Sequence, residues 1–126
     1  MKFFIDNNLG EQLAVGMKGF GENVMHLKDE FAEDTEDHDW LPYVGDNNLF
    51  LVTRDEKIRR APAELGALKQ HNVGAFFLGG KNRTRCELIQ QLVRNWPRMK
   101  KLARETGRPF AFRIPPSGSK INRINL

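Results

Sequence analysis

Short apolar runs alternate along the chain with segments whose apolar residues recur at helical spacing. Runs such as "KFFI" and "NLFLVT" are continuous, which is typical of strands buried on both faces of a parallel sheet. Between them, "LGEQLAVGMKGFG" places Leu9, Leu13 and Met17 on one face of a helix. The apolar runs predict strands near residues 2–5, 23–27, 48–53, 73–80 and 109–114.

Helical patterns fill the intervals between these runs. They predict a short helix through "DWLPYV", a helix from Pro62 to about Gln70, and a long helix from about Thr84. Strands that alternate with helices indicate βαβ units with right-handed crossovers. We therefore expect an α/β fold of three α/β/α layers, with a mostly parallel central sheet of about five strands. Residues 115–126 are predicted to be a basic C-terminal tail.

The charges are distributed unevenly over an otherwise ordinary composition. Residues 1–57 contain 13 acidic and 5 basic residues, a net charge of −8. Residues 58–126 contain 3 acidic and 15 basic residues, a net charge of +12, which gives +4 for the chain. This asymmetry predicts an acidic locus beside a basic surface, for which nucleic acid is a common partner. Charges that only solvate the surface are the alternative.

The sequence also bears on location. No apolar stretch approaches the ~18 residues of a membrane span, and the run before Asp6 is too short for a signal peptide. The single cysteine, Cys86, rules out an intrachain disulfide. We expect a cytoplasmic protein with no membrane contact.

Two aspartates follow predicted strands. Asp6 comes directly after the first strand, and Asp55 follows the third in "LVTRDEKIRR". In a parallel sheet both side chains can project into one crevice at the carboxyl ends of the strands. Neighbouring carboxylates repel each other unless one is protonated or a cation lies between them, and Mg²⁺ or Mn²⁺ suits such oxygen ligands. Among the acids of "EDTEDHD", Asp37 at the start of the short helix is the best-placed third carboxylate. Glu36 and Asp39 are near neighbours, and helix capping is the alternative explanation for any of them.

Cations surround the second of these aspartates. Beside an acidic site they could hold the phosphates that the carboxylates repel. A solvated surface turn is the alternative. The candidate RNA-binding residues are Arg54, Lys57, Arg59 and Arg60.

Three segments together resemble the PIN-like nuclease family. They are "IDNNL", "DHDWLP" and "VTRDEKIRR", and the likeness extends over about residues 2–102, closest to the prokaryotic branch related to VapC toxins. The resemblance implies a PIN-like nuclease domain over residues 1–114 and a divalent-metal ribonuclease with Asp6, Asp37 and Asp55 as catalytic and metal-binding acids. It also implies the toxin of a toxin–antitoxin pair, with a cognate antitoxin protein as partner; a homodimer stays open.

Two positions differ from the family pattern. Many relatives have glutamate after the first aspartate, where this chain has Asn7, and Glu56 is the candidate for a fourth acid. These differences favour a second hypothesis, a catalytically degenerate PIN-like module that binds RNA or a protein partner. A third, a phosphoacceptor domain, requires an acid pair after the first strand and a lysine after the fifth, where this chain has "DNN" and "RIPP".

Overall fold

The computed structural model describes all residues from Met1 to Leu126. The strands are β1 (Phe3–Ile5), β2 (Val24–His26), β3 (Phe50–Thr53), β4 (Gly74–Leu78), β5 (Phe110–Ile114) and β6 (Asn122–Ile124). The helices are α1 (Glu11–Gly19), α2 (Asp37–Asp46), α3 (Lys57–Arg60), α4 (Pro62–Gln70) and α5 (Arg85–Glu105). None of these helices combines the length and the apolar character needed to cross a bilayer.

The strands form a single sheet in the order β2-β1-β3-β4-β5-β6. All neighbours from β2 to β5 are parallel, and β6 runs antiparallel to β5. The carboxyl ends of the parallel strands therefore share one edge of the sheet, which we call the carboxyl edge. The segments after β1, β3, β4 and β5 all begin there.

Both faces of the sheet are buried. Phe3 and Ile5 of β1 belong to an apolar cluster with residues of α1 and α5. Phe4, between them, belongs to a second cluster with residues of α2, α3 and α4. Because alternate residues enter opposite clusters, every position of the strand is apolar, which explains the continuous runs. The three α/β/α layers expected from the sequence are confirmed.

The predicted elements agree well with the structure, and α4 begins at Pro62 and ends at Gln70. The structure differs in the segment 115–126, where β6 pairs with β5 and joins the sheet. The residues of β6 are exposed or half-buried. Because an edge strand is covered on one side at most, it does not require a continuous apolar run, so the sequence pattern gives little indication of β6.

Candidate active site

Three acidic residues from separate elements meet at the carboxyl edge. Asp6 directly follows β1, Asp55 lies two residues beyond β3, and Asp37 is the first residue of α2. The charges of Asp6 and Asp55 both act on Asp37, and the Asp55 carboxyl group hydrogen-bonds with it. The structure thus brings together the three acids that the sequence singled out, although 49 positions separate the first from the last.

Asp6 is held by donors from the turn after β1 and from the neighbouring strand β3. Its side chain is buried, with a residue exposure of 5%. The Asn7 N–H donates to Oδ1 at 2.6 Å, and the Thr53 hydroxyl donates to Oδ2 at 2.7 Å. Burial raises the pKa of Asp6, the hydrogen bonds from Thr53 and Asn7 oppose this rise, and the charge of Asp55 adds to it. The carboxyl group is fixed in orientation but is costly to ionise.

Thr53 and Asn8 were not predicted as part of this site. The Thr53 oxygen accepts from the Asp55 N–H at 3.0 Å and from Asn8 Nδ2 at 3.2 Å. Asn8 Oδ1 accepts from the Arg54 N–H at 3.2 Å, so it joins the segments after β1 and β3. A polar residue ending an otherwise apolar strand, next to "RD", was the available signal for Thr53. Nothing local distinguished Asn8 from a helix-capping residue.

Asp37 has the most perturbed carboxyl group. Burial raises its pKa to about 6, helped by the charges of Asp6 and Asp55 and by the hydrogen bond with Asp55. Lys57 Nζ lies 3.9 Å from Asp37 Oδ2 and offsets part of the repulsion. The cluster therefore retains a proton up to about pH 6, well above the range in which an ordinary aspartate loses it, unless a further cation takes its place.

The Asp37→Asn variant is expected to be more stable than the wild type above about pH 6 and to lose this advantage towards about pH 4. Between the unfolded and folded pKa values the native state holds a proton that the unfolded chain has released, so wild-type stability falls as pH rises. Solvent screening and the lost carboxylate at the start of α2 reduce the expected gain to roughly 1–2 kcal/mol.

Urea denaturation with EDTA, from about pH 4 to about pH 8, measures this difference. Asp39→Asn is the matched control, because Asp39 is an exposed acid in the same first turn of α2. This control measures the effect of losing a negative charge at the start of α2 while the three acids of the cluster are left unchanged. Equal pH profiles for the two variants would contradict the prediction.

The predicted cations differ in their contacts. Arg59 pairs with Glu56, which also accepts from Arg113 Nη1 at 3.1 Å. Glu56, the candidate fourth acid, is thus paired with two arginines, Arg59 and Arg113, rather than with the three acids of the cluster. Arg54 and Arg60 form no ion pair. The site therefore has acids at its centre, and cations on the turn after β3.

A family model described as PIN like domain matches residues 1–80, which include the three acids and the strands β1 to β4. This match covers more than half of the chain. The chain belongs to the PIN-like domain family. The match confirms the family that the sequence motifs indicated, and PIN-like domains are generally nucleases. The relation to VapC toxins stays a prediction. No curated protein and no solved structure matches the chain significantly.

The acids of this PIN-like domain are suited to a hard cation by their chemistry. Each offers carboxyl oxygens as ligands, and together they carry an excess of negative charge that Lys57 and His26 offset only in part. No group of three or more histidine, cysteine, aspartate or glutamate side chains is arranged so that it could hold a metal ion, so a metal would be held by fewer protein ligands. Magnesium commonly uses one or two carboxylates and keeps several waters, and the acids fit that kind of site.

Proposed function

We propose that this PIN-like domain is a divalent-metal-dependent ribonuclease that uses Mg²⁺ or Mn²⁺. The observation that carries the proposal is the placement of Asp6, Asp37 and Asp55 at one edge of the sheet, near enough for their charges to act on one another. Three mutually repelling carboxyl groups destabilise the fold, and a divalent cation would relieve that repulsion. The family supports a nuclease; the metal, the RNA substrate and the roles of the individual acids are our proposals.

The residues of the chain have separate roles in this mechanism. A bound divalent ion would supply an activated water and would offset charge on the scissile phosphate. Asp6, oriented by Thr53 and Asn7, and Asp55 would hold the ion. Asp37, with a pKa of about 6, would join them and exchange a proton at its carboxyl oxygen near neutral pH.

The surrounding cations would bind the substrate. We propose that Arg54, Lys57, Arg59 and Arg60 contact RNA phosphates beside the acids. Arg59 would do so while paired with Glu56, whereas Arg60 is exposed and has no such partner. A cytoplasmic toxin, inhibited by an antitoxin protein that covers the acidic cluster, is the biological role we propose, on the strength of the motifs that resemble VapC toxins.

A cleavage assay tests this function. End-labelled structured and unstructured RNAs are incubated with the protein in Mg²⁺, in Mn²⁺ and in EDTA, and we expect products only with metal. Calorimetric titration with Mn²⁺ should show binding that tightens as the pH rises through about 6, because the proton held by the cluster must leave. Absence of cleavage in both metals, with no Mn²⁺ binding at millimolar concentration, would contradict the proposal.

One observation favours a second candidate function, a non-catalytic PIN-like module that binds RNA or a protein. Both oxygens of Asp6 already accept hydrogen bonds, from Asn7, Thr53 and Asn8, and no group of three or more acidic, histidine or cysteine side chains is arranged to hold a metal ion. A polar network satisfied in this way can stabilise the turns without metal. RNA binding by a protein that binds no Mn²⁺ would favour this module over the nuclease.

A further inference from the structure

Four exposed cations lie beyond the acidic cluster and have no acidic partner. Lys81 follows β4, Arg85 begins α5, Arg94 lies further along α5, and Lys120 follows β5. None of them forms an ion pair, and neither 79–86 nor 115–121 contains an acidic residue. We call these four residues the cation strip. Unpaired cations in segments that contain no acid give this part of the surface a positive potential.

The backbone beneath the strip is tied down by buried contacts. Gln91 of α5 is 1% exposed and donates from Nε2 to the carbonyls of Gly79 and Ile114, at 3.0 and 3.1 Å. Arg98 Nη1 donates to the Ser119 carbonyl at 3.0 Å. A methyl group added to Gly118 would lie 3.2 Å from Arg94 Cδ, so the segment after β5 packs directly on α5. The backbone that carries the strip is therefore fixed in place, and its cationic side chains are exposed.

The strip is connected to the acidic cluster across the ends of the strands. In the order β1-β3-β4-β5, the segment after β5 is two strand spacings, roughly 10 Å, from the segment after β3. Arg113 spans this interval: its Nε would lie 3.2 Å from a methyl group added to Gly79, and its Nη1 reaches Glu56 at 3.1 Å. Glu56 directly follows Asp55. Arg113 thus connects the turn that carries Asp55 with the segment after β4, where the strip begins.

We propose that the cation strip is the substrate track of the nuclease, along which the sugar–phosphate backbone of single-stranded RNA extends away from the acids. The proposal rests on the ribonuclease function proposed above and adds the path of the substrate. Three of its residues lie in α5 or beyond, and all four lie outside the segment matched by the family. The path therefore comes from this chain's own structure.

The track has a physical reason. The acidic cluster repels phosphate, so the nucleotides around the scissile bond gain little binding energy from it. At physiological ionic strength the screening length is about 8 Å, so cations roughly 10 Å away act on phosphates further along the strand with little cancellation by the acids. Binding would then depend on phosphates remote from the bond that is cut.

Paired alanine variants test the track. Lys81→Ala with Arg85→Ala, and Arg94→Ala with Lys120→Ala, each remove one lysine and one arginine from the strip. Lys101→Ala with Arg104→Ala is the matched control, because these exposed, unpaired cations lie towards the other end of α5, away from the carboxyl edge. Binding of fluorescent single-stranded RNA in EDTA is measured between about 0.05 and about 0.3 M salt. Thermal melts check that each variant is folded.

Each cation that contacts a phosphate of single-stranded RNA contributes ~0.7 to the slope of log affinity against log salt, so a strip variant that lacks two cations should have a slope smaller by about 1.4. Each strip variant should also bind RNA roughly tenfold more weakly at about 0.1 M salt. The control should change much less. The track would be overturned if the control variant lost as much RNA affinity as the strip variants, or if the strip variants kept the wild-type salt slope. Neither result would affect the proposed nuclease, because metal-dependent cleavage by the wild type is measured separately. Strip-dependent binding by a wild-type protein that cleaves nothing would support the track and overturn the nuclease.

Discussion

Replacement of Asp6 by asparagine is expected to reduce metal-dependent RNA cleavage by at least roughly a hundredfold. Loss of a residue that only hydrogen-bonds to a metal ligand already costs about 10- to 100-fold in metal affinity or activity, and Asp6 is proposed to be a ligand itself. The amide removes one negative charge from the cluster and weakens the ligation of a divalent ion. Asp55→Asn should have a similar effect, because the charge of Asp55 acts on both Asp6 and Asp37.

The fold should survive both substitutions. An asparagine at position 6 keeps an oxygen that can accept from the Asn7 N–H, and it removes an ionisation that burial disfavours. Asp34→Asn is the matched control, since Asp34 is an exposed acid of the neighbouring loop that forms no ion pair. Initial rates on labelled RNA and thermal melts measure both effects. Undiminished cleavage by both purified variants would remove these acids from the mechanism.

Gly45→Ala is expected to destabilise the protein by about 3 kcal/mol, which corresponds to a fall in Tm of roughly 10 °C. Gly45 lies near the end of α2, where an added Cβ would be 1.9 Å from the backbone oxygen of His71. His71 directly follows α4, so α2 and the end of α4 would have to separate. The better helix propensity of alanine recovers only about 1 kcal/mol.

The same change should also weaken the site, because α2 carries Asp37 at its first residue. A displaced α2 moves Asp37 away from Asp6 and Asp55, so cleavage should fall even at temperatures where the variant is folded. Gly66→Ala is the matched control: Gly66 is exposed in α4, and its added Cβ meets no atom within 4 Å. That variant should be as stable as the wild type or slightly more stable. Thermal denaturation and cleavage assays compare the two, and a Gly45→Ala protein as stable as Gly66→Ala would refute the close contact.

Much of the candidate site was predictable because its acids follow recognisable elements. Asp6 ends the first apolar run and Asp55 follows the third, and parallel strands bring such positions to one edge. Asp37 was chosen among several acids because it begins a short helix, and the structure places it beside the other two. The metal, the substrate and the catalytic roles remain predictions for the experiments above.

The sequence by itself determined the layered α/β fold and the family, because local apolar patterns and short motifs encode these features, and it singled out the acids of the candidate site. Only the tertiary structure decided which polar groups meet. Thr53 reaches Asp6 across 47 positions, and Arg113 reaches Glu56 across 57. The strand β6 gains its place by pairing with β5 rather than from any pattern of its own. Such contacts depend on strand order and register, which place distant residues side by side and leave no periodic trace in the sequence.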